Sequence, residues 1–378
     1  MKTLCLAAFV SLNAFAQGIV NDPNVLLEWH QLHGSNTNKK LACKVTPFKP
    51  HLDFTFRFET GFSAEVPLKQ YSGKGHWLAA VFRVTPEDPS GAAVLFGRTA
   101  RLPDVPAGNK ATGELFGGFA LGEGKYRVEW ILADDSGRVC QRDWKVEAKL
   151  DGKEKEVIPG MPSGVIDEIS LRRWIRESKG PAGNGAQRAT VLLNVASFNP
   201  RRVRLNGSDR LLLLSSLAAL IERLPVASLQ LIVFNLEQHR EIYRKDDFQP
   251  RDFDAVSHAI NGIELGTVDY KVLSETRGHV DMVTDLISKS VEESKPDVVI
   301  FVGPKPRYLD KVGKEDLPAR SSDAPLFYNV QFRAFYGPNY PDTIMNAVKR
   351  MGGKTFEIFS PKQFAEAITG ITKAFEGK

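Results

Sequence analysis

The sequence predicts an all-β sandwich followed by an α/β domain built on a doubly wound, mainly parallel sheet. Three observations predict this. Residues 41 to 148 alternate apolar and polar side chains with period two. From Ala189 onward, short continuous apolar runs alternate with segments of helical spacing. The length of 378 residues also exceeds what a single core usually serves.

The chain opens with MKTLCLAAFVSLNAFA, one lysine followed by an apolar run and a small-x-small ending at Ala14-Phe15-Ala16. This is the pattern of a secretory signal peptide over residues 1–16, with cleavage before Gln17, so the mature protein is expected to be secreted or periplasmic. No later stretch approaches the roughly 18 uninterrupted apolar residues of a membrane span. Residues 17–40 form an N-terminal extension. Of three cysteines, Cys5 falls in the signal, leaving Cys43 and Cys140. An even pair in an oxidising compartment reads as one disulfide, with two buried free thiols as the alternative.

The sandwich is expected over residues 41–150. In LDFTFRFE, Leu52, Phe54, Phe56 and Phe58 fall on one face, predicting a single strand buried on one side. Tyr126, Val128, Trp130 and Leu132 share a face in the next clear strand. Asp134 to Gly137 supply a turn, and Cys140, Trp144 and Val146 return. The adjacent Asp134-Asp135 pair reads as turn chemistry rather than a catalytic or calcium site. A tryptophan near a bridging cysteine makes the architecture resemble an immunoglobulin-like sandwich, although both Trp130 and Trp144 lie beside the second cysteine.

Residues 151–188 read as a linker with a short helix over 166–178. Its Gly180, Gly183 and Gly185 lack the preceding strand and following Lys-Ser/Thr of a phosphate loop. The α/β domain, 189–378, begins with ATVLLNVA, a mainly apolar run as expected for a strand buried on both faces. Ser208-Asp209 are placed to cap a helix with Leu211, Leu214, Leu217 and Ile221 on one stripe. Strands are expected at LQLIVFNL, HREIYR (an edge), DVVIFVG, APLFYNVQFRAF and KTFEIFS. Helices are expected near 253–260, 280–291 and from Pro341. The last helix starts from Ser360 with Pro361 at its first position and Gln363 completing a capping box.

From Ala189 to Phe375, this order of elements resembles a von Willebrand factor type A domain, including the GTVDY loop (Gly266 to Tyr270) before the long helix. It is also similar to A-domain-related proteins exported by bacteria. The resemblance implies a metal-ion-dependent adhesion site with a D-x-S-x-S motif after the first strand, a threonine from a middle loop and an aspartate ending the fourth strand. Here those positions hold Asn194, Ala196 and Phe198, then Thr267, then Gly303 followed by Pro304. A magnesium ion needs near-octahedral oxygen ligation anchored by carboxylates. With both anchors replaced, a degenerate site that holds no metal is expected, and no cofactor.

What remains on the rim as candidate partner-binding residues is Asn194, Ser197, Phe198, Asn199, Arg201, Arg202, Thr267, Tyr270 and Tyr308. Aromatic and arginine side chains among small polar groups suit protein contacts. The net charge of +5 is too mild to argue for nucleic acid, and the basic run RRVRLNGSDR lacks interleaved aromatics. Ser197 lacks the G-x-S-x-G elbow of a hydrolase. Neither His239, His258 nor His279 has a spacing that commits it to a triad or a metal. The expected function is therefore a non-catalytic, exported protein-binding or adhesion module. The alternatives are a structural component of an envelope complex and, behind it, an exported hydrolase. Partner identity and oligomeric state are not encoded in any motif.

Overall fold

A computed structural model describes residues 17–21, 39–89, 91–152, 154–169, 187–199, 202, 205–264, 277–306, 310–319, 323–333 and 341–376; the signal-peptide reading of residues 1–16 lies outside them. The chain divides into two units, Met1–Ile169 and Ser170–Lys378.

Unit 1 contains β1 (Gly18–Ile19), β2 (Lys39–Lys40), β3 (Lys44–Pro47), β4 (His51–Leu52), β5 (Phe58–Pro67), β6 (Trp77–Pro86), β7 (Val94–Arg101), β8 (Thr112–Leu121), β9 (Gly124–Asp134), β10 (Arg138–Ala148) and β11 (Ile166–Glu168). They form two sheets, one in the order β1-β7-β6-β9-β10-β2 and one in the order β11-β8-β5-β3, with β4 also on β5. Tyr126, Val128, Trp130 and Leu132 are fully buried along β9. Phe62 from one sheet meets Phe82 and Trp130 from the other edge-on, with ring centroids 5.2 and 5.4 Å apart, a packing geometry that adds to area burial. Cys43 and Cys140 are joined by a disulfide with their Cα atoms 6.2 Å apart. It links the residue before β3 to β10, and so one sheet to the other.

Two local expectations are corrected. LDFTFRFE is not one strand, because β4 and β5 are the arms of a hairpin in which His51 pairs with Glu59 and Leu52 with Phe58. The Asp53 carboxylate accepts the backbone N–H groups of Thr55 and Arg57 and the Thr55 hydroxyl. Phe56, with φ of 62°, turns the chain back. Short polar side chains that bond nearby backbone offer an alternative to the sheet ladder, and here that alternative wins over period-two alternation. The second correction is at residues 166–168, which form β11, pairing with Phe119 to Leu121 of β8 rather than opening a helix. Val157, Met161 and Ile166 are buried with unit 1. Gly180, Gly183 and Gly185 lie outside the described residues.

Unit 2 contains β12 (Arg188–Asn194), α1 (Gly207–Arg223), β13 (Ser228–Asn235), β14 (Arg240–Lys245), α2 (Phe253–Asn261), α3 (Gly278–Lys289), β15 (Val298–Pro304), β16 (Leu326–Phe332), α4 (Thr343–Arg350), β17 (Lys354–Ile358) and α5 (Pro361–Glu376). Their sheet runs β14-β13-β12-β15-β16-β17. One face packs Leu192, Ile232, Phe234, Val299, Phe301 and Phe327 against α3 and α4. Phe332, of opposite parity to Phe327, meets Phe364 of α5.

The expected fold class is also corrected. Among the described residues strand makes up 39% and helix 25%, in sheets of mixed strand order, so the protein is not clearly a doubly wound α/β fold. The reason lies in the connections. β13 and β14 are joined through a single 3-10 turn, Leu236–Gln238, with His239 left-handed at φ 46°. A parallel return needs a crossover of a dozen or more residues, so β14 runs antiparallel. Between β15 and β16, the described residues contain no helix.

Two outcomes are predicted for unit 1. Replacing both Cys43 and Cys140 by alanine opens a loop of 97 residues and lowers stability by up to about 4–5 kcal/mol, measured by urea unfolding followed through Trp130. Glu59 is pushed up to about 7 by burial, then by the charge of Asp53 and its hydrogen bond, against the opposing pull of Arg57. Its folded pKa thus lies above the ordinary 4.5, so the native state binds the extra proton and stability falls as pH rises from about 4.5 to about 7. Glu59→Gln flattens that slope in denaturation measured across the same pH range.

Candidate functional site

The carboxyl ends of parallel strands are where ligands meet such sheets, and in unit 2 this rim is built chiefly from β12, β13 and β15. Asn194 ends β12 and is 1% exposed. Its Oδ1 accepts the N–H of Leu236 at 3.3 Å, while its Nδ2 is buried with no partner among the described residues. Asn235, which ends β13, donates Nδ2 to the Val195 carbonyl at 2.6 Å and accepts from the Gln238 N–H. The two side-chain amides therefore tie the loops after β12 and β13 to each other.

Ser197, 7% exposed, donates its hydroxyl to the Asn199 carbonyl at 2.8 Å and accepts the Asn199 N–H at 3.2 Å. The Arg202 N–H donates to the same carbonyl. Its hydroxyl lies 3.5 Å from Asp209 Oδ2, and the Arg202 guanidinium stands 4.0 Å from that oxygen. The cap of α1 is Asn206, not Ser208-Asp209, for Asn206 accepts the Asp209 N–H at 2.6 Å. Asp209 instead places its carboxylate in the first turn, where the helix dipole favours it.

Of the nine rim candidates, Asn194 and Ser197 are buried and hold the loop from within. Phe198 and Asn199 are half-buried and Arg202 is exposed. Arg201, Thr267, Tyr270 and Tyr308 lie outside the described residues. Gly303 has a φ of 149°, and a Cβ there would stand 2.5 Å from the Asn194 carbonyl oxygen and 3.0 Å from its Cβ. The tips of β12 and β15 approach too closely for any side chain at 303, a carboxylate included.

A second polar group at the same end of the sheet was not legible in the sequence. His279, at the start of α3, meets Asp310 at 2.7 Å, and its ring lies 6.2 Å from that of His239. Thr343 of α4 donates to the Asp310 carbonyl. Nearby in the chain, Asp342 caps α4 and accepts from Gln331 at 2.6 Å, with burial raising its pKa. No linear spacing marks these partners, because each comes from a different strand–loop junction. His258 is exposed on α2. Among the described residues, no group of three or more His, Cys, Asp or Glu is placed to hold a metal ion, and no helix is long and apolar enough to cross a membrane.

No family model and no curated protein matches the chain. Among solved structures, it is similar to a protein from Bordetella pertussis described as ApaA, at 10% identity and a TM-score of 0.20, over 30% of this chain and 99% of that one. It is also similar to a calcium-binding mutant of Bacteroides uniformis β-glucuronidase 2, at 11% identity and a TM-score of 0.19, over 85% of this chain and 38% of that one. A third is a Paenibacillus cycloisomaltooligosaccharide glucanotransferase, at 10% identity and a TM-score of 0.19, over 78% and 45%. The chain spans less than half the length of these two enzymes, and likenesses this slight do not indicate an A domain or any other family.

The approach of β12 to β15 predicts that Gly303→Asp is destabilising by more than about 2 kcal/mol, as overpacking and a strained φ add. Thermal unfolding of unit 2 measures it, and Gly303→Ala shows a smaller loss of the same sign.

Proposed function

We propose that unit 2 is a protein-binding module, of adhesion type, whose contact surface is the loop after β12, carried outward by Phe198, Asn199 and Arg202. The observation that supports this reading is the way the loop is held. Ser197, Asn199 and Arg202 close a turn on one carbonyl, with Asp209 behind it. A half-buried phenyl ring and an exposed guanidinium are thereby presented on a rigid base, at low entropic cost to a partner that packs on them. Aromatic and arginine side chains are the residues that dominate such contacts.

In this reading Ser197 is a positioning residue. Its hydroxyl bonds the Asn199 carbonyl and N–H and lies 3.5 Å from the Asp209 carboxylate, so it ties the turn to the first turn of α1. Export through the N-terminal signal belongs to the same proposal, since it would bring the rim to partners outside the cytoplasm.

A photo-crosslinking side chain placed at Asn199 in the native host tests this. The expected result is one discrete partner adduct, reduced about tenfold by Arg202→Glu or Phe198→Ala, in line with the loss of a dominant interface residue. An adduct pattern the same as that from a crosslinker at Asp254 on α2 would contradict the proposal.

A further inference from the structure

Strand β8 is covered on both sides for only part of its length. Along its inner side, Thr112 to Leu121 pair with β5, whereas on its outer side β11 reaches only Phe119 to Leu121. The even-numbered residues of β8 turn their backbone groups to that outer side. The N–H of Gly122, next in line, donates to the Val165 carbonyl, and Gly118 is met there by Gln17. Gln17 holds Gly118 as a neighbouring strand would, its side-chain amide accepting from the N–H and donating to the carbonyl. Beyond it, Arg98 Nη1 donates to the Phe116 carbonyl. No described strand pairs with the outer side from Thr112 to Gly118. An open row of N–H and C=O groups is a template for another strand.

The side chains beside this edge define what would pair with it. Phe116 is 49% exposed, and with Phe48 (42%) and Ile169 (39%) it borders a groove of about 480 Å³ that Arg98 and Glu168 also line. Two residues along β8, Glu114 stands directly opposite Glu65 of β5, and Glu65 stands opposite Lys44 of β3, with the Lys44 ammonium 3.2 Å from its carboxylate. Across the sheet the row therefore reads Lys44, Glu65, Glu114. Like charges directly opposite are unfavourable and opposite ones favourable, and Glu114 forms no ion pair among the described residues. The position beyond it is suited to a lysine or arginine, and the one beyond Phe116 to an apolar side chain.

We propose that the outer edge of β8, from Thr112 to Gly117, is a docking site for an extended peptide segment of a partner protein. The segment adds antiparallel to β8, starts where Gln17 stops, and carries an apolar residue followed two positions later by a basic one. Main-chain hydrogen bonds supply the affinity in this mode, and alternate side chains supply the selectivity. Arg98 swings off the Phe116 carbonyl to admit the strand. A second copy of the chain is a poorer occupant, because two-fold pairing centred on Glu114 sets that carboxylate against itself. The site is in unit 1 and rests on nothing proposed for the rim of unit 2.

The test uses the full chain and two synthetic peptides, TITKTT and TITETT, with the backbone amide resonances of Glu114 and Phe116 as the readout. The expected result is saturable shifts with TITKTT, with TITETT binding about fivefold more weakly, as cross-strand charge pairs allow. In Glu114→Lys, an exposed substitution that also relieves Glu65, the preference inverts. Equal binding of both peptides, no shift with either, or an unchanged preference in Glu114→Lys would overturn the proposal. So would a dimer in sedimentation that Phe116→Ser abolishes, since the edge would then belong to a second copy.

Discussion

The contact that decides the chemistry of unit 2 is the close approach of two strand tips. β12 is paired in parallel on both sides, with β13 and with β15, and this central position buries Asn194 at its end. Where β15 passes that end it carries Gly303, with its φ of 149° and no room for a Cβ against Asn194. A residue able to anchor a hard cation cannot stand there while the strands keep this spacing. At the tips of β12 and β13 the described side chains that bond across are the neutral amides of Asn194 and Asn235. The two amides fix the loops after β12 and β13 to each other, and among the described residues of the loop after β12 Phe198 is half-buried and Arg202 exposed.

Much of the secondary structure was legible in the sequence, and the failures have local causes. β12, β13 and β15 show as largely apolar runs because both faces are covered, with Thr190 and Gln230 buried together as a hydrogen-bonded pair. The capping box of α5 is present with one shift: Gln363 accepts the N–H of Phe359, one residue ahead of Ser360. LDFTFRFE misled because alternation reports which side chains are buried and not whether the chain runs straight. Phe56 is buried in a turn, held there by Asp53. The fold class misled for a topological reason, since strand–helix alternation does not reveal where a connection is too short to cross over, as between β13 and β14.

The candidate site was legible only in outline. The strand end at Asn194 and the glycine at 303 were identifiable by position, and so was the arginine-rich loop. What position alone does not give is burial: Asn194 and Ser197 carry the same polar atoms whether they face a partner or lock a turn. The pairing of His279 with Asp310 was hidden for a related reason, because the two are 31 residues apart and meet only where α3 begins beside the loop after β15. In unit 1, the Lys44–Glu65–Glu114 row is likewise visible only once the register of three strands is known.

Titration of manganese into the purified protein, followed by the loss of the free-ion paramagnetic signal, tests the account of the strand tips most directly. No saturable uptake is expected at micromolar metal, in the wild type or in Asn194→Ala. Stoichiometric uptake that disappears on changing Asn194 or Thr267 would contradict it.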